Sequence, residues 1–337
     1  MLRPAGRESR ASRRLKHNSS AVYLDFAFAM TTGGDTEANA KTPAAALVGD
    51  GRAKVNLTLR VVGRRVDGYH ELESVVAFAD CADHLSLTPG SELQLRITGP
   101  LAQACGETAD NLVLKAARLL GERVPDLKVG RFTLDKVLPV AAGIGGGSAD
   151  AAAALRLLAQ ANGLAIDDSR LIEVARLTGA DVPVCLASRA CVMTGVGETL
   201  LPLALPKLPC VLVNPRVPVA TRDVFAALGL RNGELLVGAT DVIRAVAWPE
   251  DGASVEEWVE ALAAGTNDLE APATRIQPII GEVISALSAT TGAWRARMSG
   301  SGATCYAIYE NTAEAQRAAQ KIQTTHPQWW VHAGVLS

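Results

Sequence analysis

Apolar and polar residues alternate along residues 53–62 (AKVNLTLRVV), where every second position is apolar: Val55, Leu57, Leu59 and Val61. Side chains of a β-strand point alternately to its two faces, so this period of two predicts a half-buried strand. Shorter apolar or alternating runs predict further strands at residues 71–79, 84–87, 93–98, 132–136, 190–194, 210–214, 305–309 and 330–333. We therefore expect many short strands spread over most of the chain.

Segments with apolar residues at helical spacing lie between these strands. Leu112, Ala116 and Leu119 follow Asp110 and Asn111, either of which can cap a helix. Further helices are predicted over residues 149–161, 168–177, 222–228, 278–287 and 312–322. Strands and helices mix without a regular βαβ rhythm, which favours the α+β class over a doubly wound parallel sheet.

The length of 337 residues suits about two domains. Pro206 and Pro209 interrupt the middle of the chain, and we place a domain boundary there. The expected domains are residues 46–205 and residues 206–337. Residues 1–45 are expected to be a disordered N-terminal extension and are set apart from the fold.

That extension begins with a cluster of basic residues: Arg3, Arg7, Arg10, Arg13, Arg14 and Lys16. Small residues then dominate up to about residue 46, a composition typical of a disordered tail. A start codon placed too early, with Met30 as the true start, would also explain it. A targeting peptide or a nucleic-acid-binding arm are the remaining interpretations of so basic a start.

Composition narrows the classes of function. The formal net charge of −2 gives the whole molecule no electrostatic affinity for nucleic acid or for an anionic membrane. No apolar run approaches the roughly 20 residues that a membrane span needs. The six cysteines are scattered, without a CxxC pair, which indicates a reducing compartment and predicts a cytoplasmic protein.

The sharpest chemical signal is the glycine-rich segment 139–149 (PVAAGIGGGSA), which leads directly into an alanine-rich helical run. Glycines allow backbone N–H groups to close around an anion, and a helix N-terminus adds unpaired donors and partial positive charge. Ser148 is placed to cap the helix, contact a phosphate or bind magnesium. The segment lacks the lysine of a P-loop and the third glycine of GxGxxG. A glycine turn that only allows close helix packing is the alternative.

Three further strings accompany this segment: 53–57 (AKVNL), 64–72 (RRVDGYHEL) and 298–304 (MSGSGAT). Together the four strings, in this order, resemble the motifs of the GHMP kinase superfamily. The 64–72 string and the Gly-Gly-Gly-Ser core resemble the 4-diphosphocytidyl-2-C-methyl-D-erythritol kinase family in particular. Arg52, Ala141, Ala142 and Ala149 depart from that family's usual proline, glycines and second serine.

The resemblance implies a two-domain GHMP kinase fold. Its N-terminal domain would be ribosomal-protein-S5-domain-2-like and bind ATP, and its C-terminal domain would be a ferredoxin-like α/β sandwich. It implies ATP and Mg²⁺ as cofactors, with Ser148 as the candidate metal ligand. The implied ATP-binding residues are Pro139, Val140, Ala141, Ala142, Gly143, Ile144, Gly145, Gly146, Gly147, Ser148 and Ala149.

The catalytic pair implied by the resemblance is Asp181, as the base, and Lys54. Asp181 lies in Gly-Ala-Asp-Val-Pro, an apolar stretch where a lone carboxylate is otherwise most often a cap or turn residue. Lys54 lies on the polar face of the predicted strand, where simple solvation is the alternative. In the family these two side chains meet at the substrate hydroxyl.

The substrate site implied by the resemblance contains Asn56, Tyr69, His70, Thr221 and Phe225. Tyr69 and Phe225 would stack on the cytosine, and His70 would hydrogen-bond it. Packing of its own helix is the alternative role of Phe225.

The expected activity is ATP-dependent phosphorylation of the 2-hydroxyl of 4-diphosphocytidyl-2-C-methyl-D-erythritol in the non-mevalonate route to isopentenyl diphosphate. The alternatives are a GHMP kinase for another alcohol, such as homoserine or a sugar, and a non-catalytic nucleotide-binding regulator. The expected partner is a small-molecule substrate rather than nucleic acid or membrane, bound by a monomer or weak homodimer.

Overall fold

The longest element is a 21-residue strand, β3 (His70–Gly90), which organises the first half of the sheet. Four strands of this half pair with it antiparallel: β1 (Leu47–Asn56), β2 (Arg60–Arg64), β5 (Val129–Asp135) and β6 (Cys191–Gly195). The short strand β4 (Gln94–Thr98) runs parallel to β5, and β7 (Thr199–Pro202) pairs with β6. This computed structural model describes residues 45–236 and 248–337.

The other four strands extend the same sheet: β8 (Leu208–Asn214), β9 (Ala293–Met298), β10 (Cys305–Tyr309) and β11 (Trp330–Leu336). The order is β4-β5-β3-β11-β8-β10-β9. Strand β11 is antiparallel to β8 over its whole length but meets β3 at a single pair, Leu336 with Ala79. The last strand in sequence therefore lies in the middle of the sheet and joins its two halves.

Helices pack on the faces of this sheet. In chain order they are α1 (Leu112–Gly121), α2 (Gly146–Asn162), α3 (Ser169–Thr178), α4 (Val182–Ala187), α5 (Thr221–Ala226), α6 (Val255–Ala263), α7 (Glu270–Ile276), α8 (Ile279–Ser288) and α9 (Thr312–Thr325). Two short 3₁₀ turns precede α1. Helices α1 to α4 share one core with β3 and β5, whereas α7 to α9 share another with β8 and β10. The α+β class predicted from the sequence is confirmed.

Helix α2 lies against β1 and β3 because its alanine run is small. Ala151, Ala152, Ala153 and Ala154 are fully buried. Larger side chains there would push the helix away from β3, whose Val76 and Phe78 are buried in the same core. Helix α2 begins after Gly145 and ends before Gly163, both in the left-handed conformation that glycine favours.

The strand prediction for residues 53–62 is wrong in two respects. Strand β1 ends at Asn56 and β2 begins at Arg60, so the alternation covers two strands and the turn between them. The strand is not half-buried either, because the polar positions Lys54, Asn56 and Thr58 are as enclosed as their apolar neighbours. Residues 71–79 and 84–87, predicted as two strands, belong to the single strand β3.

Short elements were not predicted from the pattern: β7, β9, α4, α6 and α7. Helix α4 has six residues and contains Pro183, and β9 carries two arginines, so neither presents a clear apolar period. The predicted extension 1–45 lies outside the described residues except for Ala45. None of the helices described is both long and apolar enough to cross a bilayer.

Candidate active site

The glycine-rich segment turns from the end of β5 into α2 and contacts the loop between β9 and β10. Gly143 has φ +74°, and a Cβ on it would lie 2.5 Å from the Ser299 carbonyl oxygen and 2.7 Å from the Gly302 nitrogen. Only glycine fits so close to that backbone. A Cβ on Gly300 would likewise lie 2.8 Å from the Gly143 carbonyl oxygen, so the close approach requires glycine on both loops.

Hydrogen bonds join this contact to β1. The Ser299 hydroxyl donates to the Gly143 carbonyl at 3.0 Å and accepts from the Asn56 N–H at 3.1 Å. The Thr304 N–H donates to the Ala142 carbonyl at 3.0 Å. Three of the strings singled out in the sequence thus meet at one place, although more than 240 positions separate Asn56 from Ser299.

The start of α2 forms an anion site. Gly145 is the N-cap, and the first helical bond runs from the Ala149 N–H to the Gly145 carbonyl, 2.8 Å. The N–H groups of Gly146, Gly147 and Ser148 therefore have no partner within the helix. The predicted start at residue 149 and the capping role considered for Ser148 are wrong, because Ser148 is the third helical residue.

These N–H groups face a cavity of about 430 Å³. Of the predicted site residues, it is lined by Lys54, Asn56, Ala141, Ala142, Gly143, Gly145, Gly146, Gly147, Ser148, Asp181, Thr221 and Phe225. Pro139, Val140, Ile144 and Ala149 do not line it. Ile144 and Ala149 are buried instead, so they support the loop rather than contact a ligand.

Lys54 and Asp181 form an ion pair in this cavity, with Lys54 Nζ 2.8 Å from Asp181 Oδ1. The lysine side chain is 5% exposed and the aspartate side chain 37%. The ammonium is thus enclosed beneath a carboxylate that still reaches the open space. Lys54 is not solvated on a polar strand face, which was the alternative role.

Asp181 occupies the N-cap position of α4, but its side chain makes no capping hydrogen bond. Its carbonyl accepts the first helical bond, from the Cys185 N–H at 3.1 Å. The helix therefore fixes the backbone of Asp181 while leaving its carboxylate to Lys54. Capping, the alternative role for this residue, is not what the side chain does.

A buried charged triad lies directly beneath the loop. Lys136 Nζ donates to Asp83 Oδ2 at 2.5 Å and to Asp150 Oδ2 at 2.7 Å, and all three side chains are nearly inaccessible. A Cβ on Gly146 would lie 3.3 Å from Lys136 Nζ. Burial and, to a smaller extent, the charge of Asp83 raise the pKa of Asp150 to about 7 against the opposing effect of Lys136.

None of these three residues was predicted from the sequence. Lys136 and Asp150 flank the glycine-rich segment closely, and their charge within an apolar neighbourhood was an available signal. Asp83 lies in the middle of β3, with nothing in its local sequence to distinguish it. Only the packing of three elements brings it to Lys136.

A second cavity of about 410 Å³ adjoins the first. Tyr69, His70 and Phe225 line it, and the rings of His70 and Phe225 stack with centroids 4.5 Å apart. Tyr69 is 61% exposed. Phe225 is half-buried and also packs on the core below, so the packing role is present, while stacking on a ligand stays a prediction.

His70 lines this cavity, and its ring can donate or accept a hydrogen bond. Its Nε2 is buried without a partner among the described residues. Burial lowers the pKa of His70, and the neighbouring charge of Arg64 lowers it further. Five residues line both cavities, which therefore form one groove: Leu72, Ala180, Val196, Thr221 and Phe225.

Asn56 lies at the wall of the first cavity and is 2% exposed. Its Nδ2 donates to the Ser74 hydroxyl at 2.7 Å, whereas its Oδ1 is buried without a partner among the described residues. A buried acceptor without a donor is costly, so a ligand hydroxyl supplied from the cavity would stabilise it.

Known proteins are similar to this chain over most of its length. The model of the GHMP kinases N terminal domain matches residues 111–189, and that of the GHMP kinases C terminal region matches residues 243–328. A 4-diphosphocytidyl-2-C-methyl-D-erythritol kinase from Bradyrhizobium diazoefficiens is 73% identical over 88% of this chain and 100% of its own length. One from Rhodopseudomonas palustris is 72% identical over 86% of this chain and 96% of its own.

Solved structures agree with this. A crystal structure of 4-(cytidine 5'-diphospho)-2C-methyl-D-erythritol kinase, 35% identical, superposes with a TM-score of 0.66 over 86% of this chain and 99% of that one. A homoserine kinase from Cytophaga hutchinsonii, 18% identical, has a TM-score of 0.63 over 90% and 98%. At that identity the second likeness shows the shared fold alone. The chain belongs to the 4-diphosphocytidyl-2-C-methyl-D-erythritol kinase family, with the two-domain α+β fold of the GHMP kinases.

Proposed function

We propose that Asp181 and Lys54 catalyse transfer of the ATP γ-phosphoryl group to the 2-hydroxyl of 4-diphosphocytidyl-2-C-methyl-D-erythritol, giving ADP and the 2-phosphate. As a member of its family the chain is an ATP-dependent kinase of the methylerythritol phosphate route to isoprenoid precursors. One observation carries the assignment of residues: the Lys54–Asp181 pair and the unpaired amides of α2 line the same cavity.

In this proposal the acceptor hydroxyl lies against Asp181. Its oxygen forms the new P–O bond, the bond between the β,γ-bridging oxygen and γ-phosphorus breaks, and ADP leaves with that oxygen. The proton of the hydroxyl passes to the Asp181 carboxylate. Lys54, enclosed beneath, orients that carboxylate and balances charge at the acceptor oxygen.

The triphosphate lies at the start of α2. The N–H groups of Gly146, Gly147 and Ser148 donate to phosphate oxygens, and the positive end of the helix dipole favours the anion. The C-terminal loop holds this arrangement through Ser299 and Gly143. Binding of the phosphates therefore requires no side-chain cation in the glycine-rich segment itself.

The cytidine end occupies the second cavity. His70 Nε2 and the faces of Tyr69 and Phe225 offer hydrogen bonding and stacking to the base. Because His70 and Phe225 already stack on each other, the base would extend their stack or separate the rings. Thr221, which lines both cavities, lies between the base and the reacting end, and Asn56 accepts from a hydroxyl of the polyol.

Mg²⁺ is the expected metal. No cluster of three His, Cys, Asp or Glu side chains within residues 45–236 and 248–337 could hold a metal ion. Mg²⁺ commonly takes only one or two protein ligands and completes its shell with water and phosphate oxygens. The Ser148 hydroxyl, which faces the first cavity, fits that limited role. Bound there, the ion would neutralise charge on the transferred phosphoryl group.

The domain boundary near residue 205 remains our assignment. The two family matches fall on either side of it, and α1 to α4 and α7 to α9 belong to separate cores. Residues 46–205 would supply the phosphate loop and the catalytic pair, and residues 206–337 would supply Thr221, Phe225 and the supporting loop. A monomer or weak homodimer remains the expected state.

A coupled assay for ADP release tests the proposal. The purified chain with MgATP is given 4-diphosphocytidyl-2-C-methyl-D-erythritol, free methylerythritol or homoserine. We expect turnover with the cytidine-linked substrate alone, since the free polyol leaves the second cavity empty. Absence of turnover with that substrate, or equal rates with homoserine, would contradict the assignment.

A further inference from the structure

Arg156, in the third turn of α2, is bonded to two other elements at once. Its Nη1 donates to the carbonyls of Cys185 at 2.9 Å and Leu186 at 3.4 Å, and its Nη2 donates to the Asp50 carbonyl at 2.7 Å. The side chain is half-buried and lines none of the cavities described above. One guanidinium therefore links α2, α4 and β1 without contacting a ligand site.

Each of the three linked elements carries one part of the reaction site. Helix α2 begins at the phosphate amides, Asp181 immediately precedes α4, and Lys54 lies four residues after Asp50 on β1. The fork of a guanidinium fixes direction as well as distance, because its N–H donors are held in one plane. The relative placement of the three parts is thus set at one side chain.

Helix α4 particularly needs such an anchor. It has six residues, fewer than two turns, and so little stability of its own. Cys185 and Leu186 are in its last turn, where carbonyl groups lack partners within the helix. A positive charge there also complements the negative end of the helix dipole. Fixing this end fixes the other, which lies about 6–8 Å away at Asp181.

Arg156 binds backbone carbonyl groups rather than a carboxylate. Asp50, whose carbonyl it binds, uses its carboxylate Oδ1 to bond His84 Nδ1 at 2.8 Å. Arg156 has no carboxylate partner within 4.0 Å in the described part of the chain. Its role follows from the three backbone carbonyls that it joins.

We propose that Arg156 is a positioning residue that holds Asp181 and Lys54 in register with the phosphate-binding start of α2. The proposal rests on the function proposed above, because it gives those residues their roles. It predicts an effect on turnover rather than on ligand binding, since a displacement of about 1 Å between reacting groups can cost about 100-fold in rate.

The test compares Arg156→Met and Arg156→Lys with Arg170→Met, a partly exposed arginine at the start of α3 whose side chain, among the described residues, bonds only Asp168 of the preceding turn. We expect kcat of Arg156→Met to fall about 10- to 100-fold with both KM values changed less than about 3-fold. Arg156→Lys should recover part of the loss, because an ammonium can still donate to one or two of the carbonyls. Arg170→Met should behave as the unaltered protein.

Hydrogen exchange supplies a readout that is independent of turnover. We expect faster exchange in Arg156→Met at the amides of residues 185–188, with little change in the strands. Unchanged kcat and exchange would overturn the proposal, and so would a uniform rise in exchange along the whole chain. If Arg156→Met does not fold, Arg156→Lys decides by the same two measurements. Failure of the unaltered protein to phosphorylate the substrate would count against the proposed function, whereas the exchange result would still decide whether Arg156 anchors α4.

Discussion

Lys54 Nζ lies 2.8 Å from Asp181 Oδ1, and the lysine is enclosed while the carboxylate faces the cavity. The two residues come from distant parts of the sequence and from different kinds of element, a strand and a helix N-terminus. Lys54, a charged residue on a buried strand, therefore holds the carboxylate of Asp181, the proposed base.

Replacing either member of this pair should abolish most turnover. We expect kcat to fall about 10²- to 10⁴-fold in Asp181→Asn and in Lys54→Met, with ATP affinity changed only a few-fold. Because the two act as a unit, the double variant should be scarcely slower than the poorer single variant. Steady-state kinetics and nucleotide titration check this. Asp168→Asn, another carboxylate at a helix start, is the control and should keep full activity.

Replacing Ala141 with glycine should stabilise the protein. Its φ of +51° places a Cβ in the left-handed region, at a cost of about 1–2 kcal/mol. Glycine removes that cost but adds about 0.4–1 kcal/mol of unfolded-state entropy. We expect a net gain of about 0.5–1 kcal/mol in urea unfolding. The neighbouring Ala142→Gly, at a buried position without positive φ, should instead destabilise the protein.

Lys136 should be essential for stability. Lys136→Met leaves the Asp83 and Asp150 carboxylates buried without a cation, and losing one partner of a buried pair costs about 3–5 kcal/mol. Adding Asp150→Asn should recover part of this loss, because one buried charge fewer remains. Chemical denaturation measures both changes. Lys128→Met, at an exposed lysine, should stay within about 0.5 kcal/mol of the parent.

His70 should make the folded protein less stable as the pH falls. Since its pKa is lowered on folding, the unfolded chain binds a proton more readily than the folded one. Its contribution is therefore complete above the ordinary histidine pKa and is lost as pH falls below about 6.5. Between about pH 7 and pH 5, the free energy of unfolding should fall less in His70→Gln than in the parent. Between about pH 7 and pH 8, it should change equally in the two proteins. Parallel slopes in both ranges would show that His70 is not responsible.

Part of the site could be predicted because its residues lie in a few short segments of consecutive positions. The turn of segment 139–149 needs glycines at fixed positions. Segments 53–57 and 298–304 pack on that turn, which restricts their residues too. All three segments can therefore be recognised from a few consecutive residues. Resemblance then supplied roles for Asp181 and Lys54 that periodicity alone could not. On pattern alone, Lys54 belonged to a solvated face.

Other parts could not be predicted, because they exist only after packing. Asp83 joins Lys136 across 53 positions, and Arg156 reaches Asp50 across 106. Nothing in the sequence around Arg156 separates it from any other arginine on a helix. The continuity of β3 was also hidden, since its residues 80–83 interrupt the apolar pattern and the pairing with β1 shifts register between Ala82 and Phe78, although the strand itself continues.

The position of β11 has a consequence for the order of events during synthesis. Residues 330–336 fill the space between β3 and β8, so a nascent chain that still lacks them has an unpaired edge on β8. The loop that steadies the phosphate site is carried by β9 and β10, which attach to that same half. Until translation passes residue 336, the two halves have no strand to bridge them. Chains that still lack residues 330–336 should therefore be catalytically silent and should need protection from self-association.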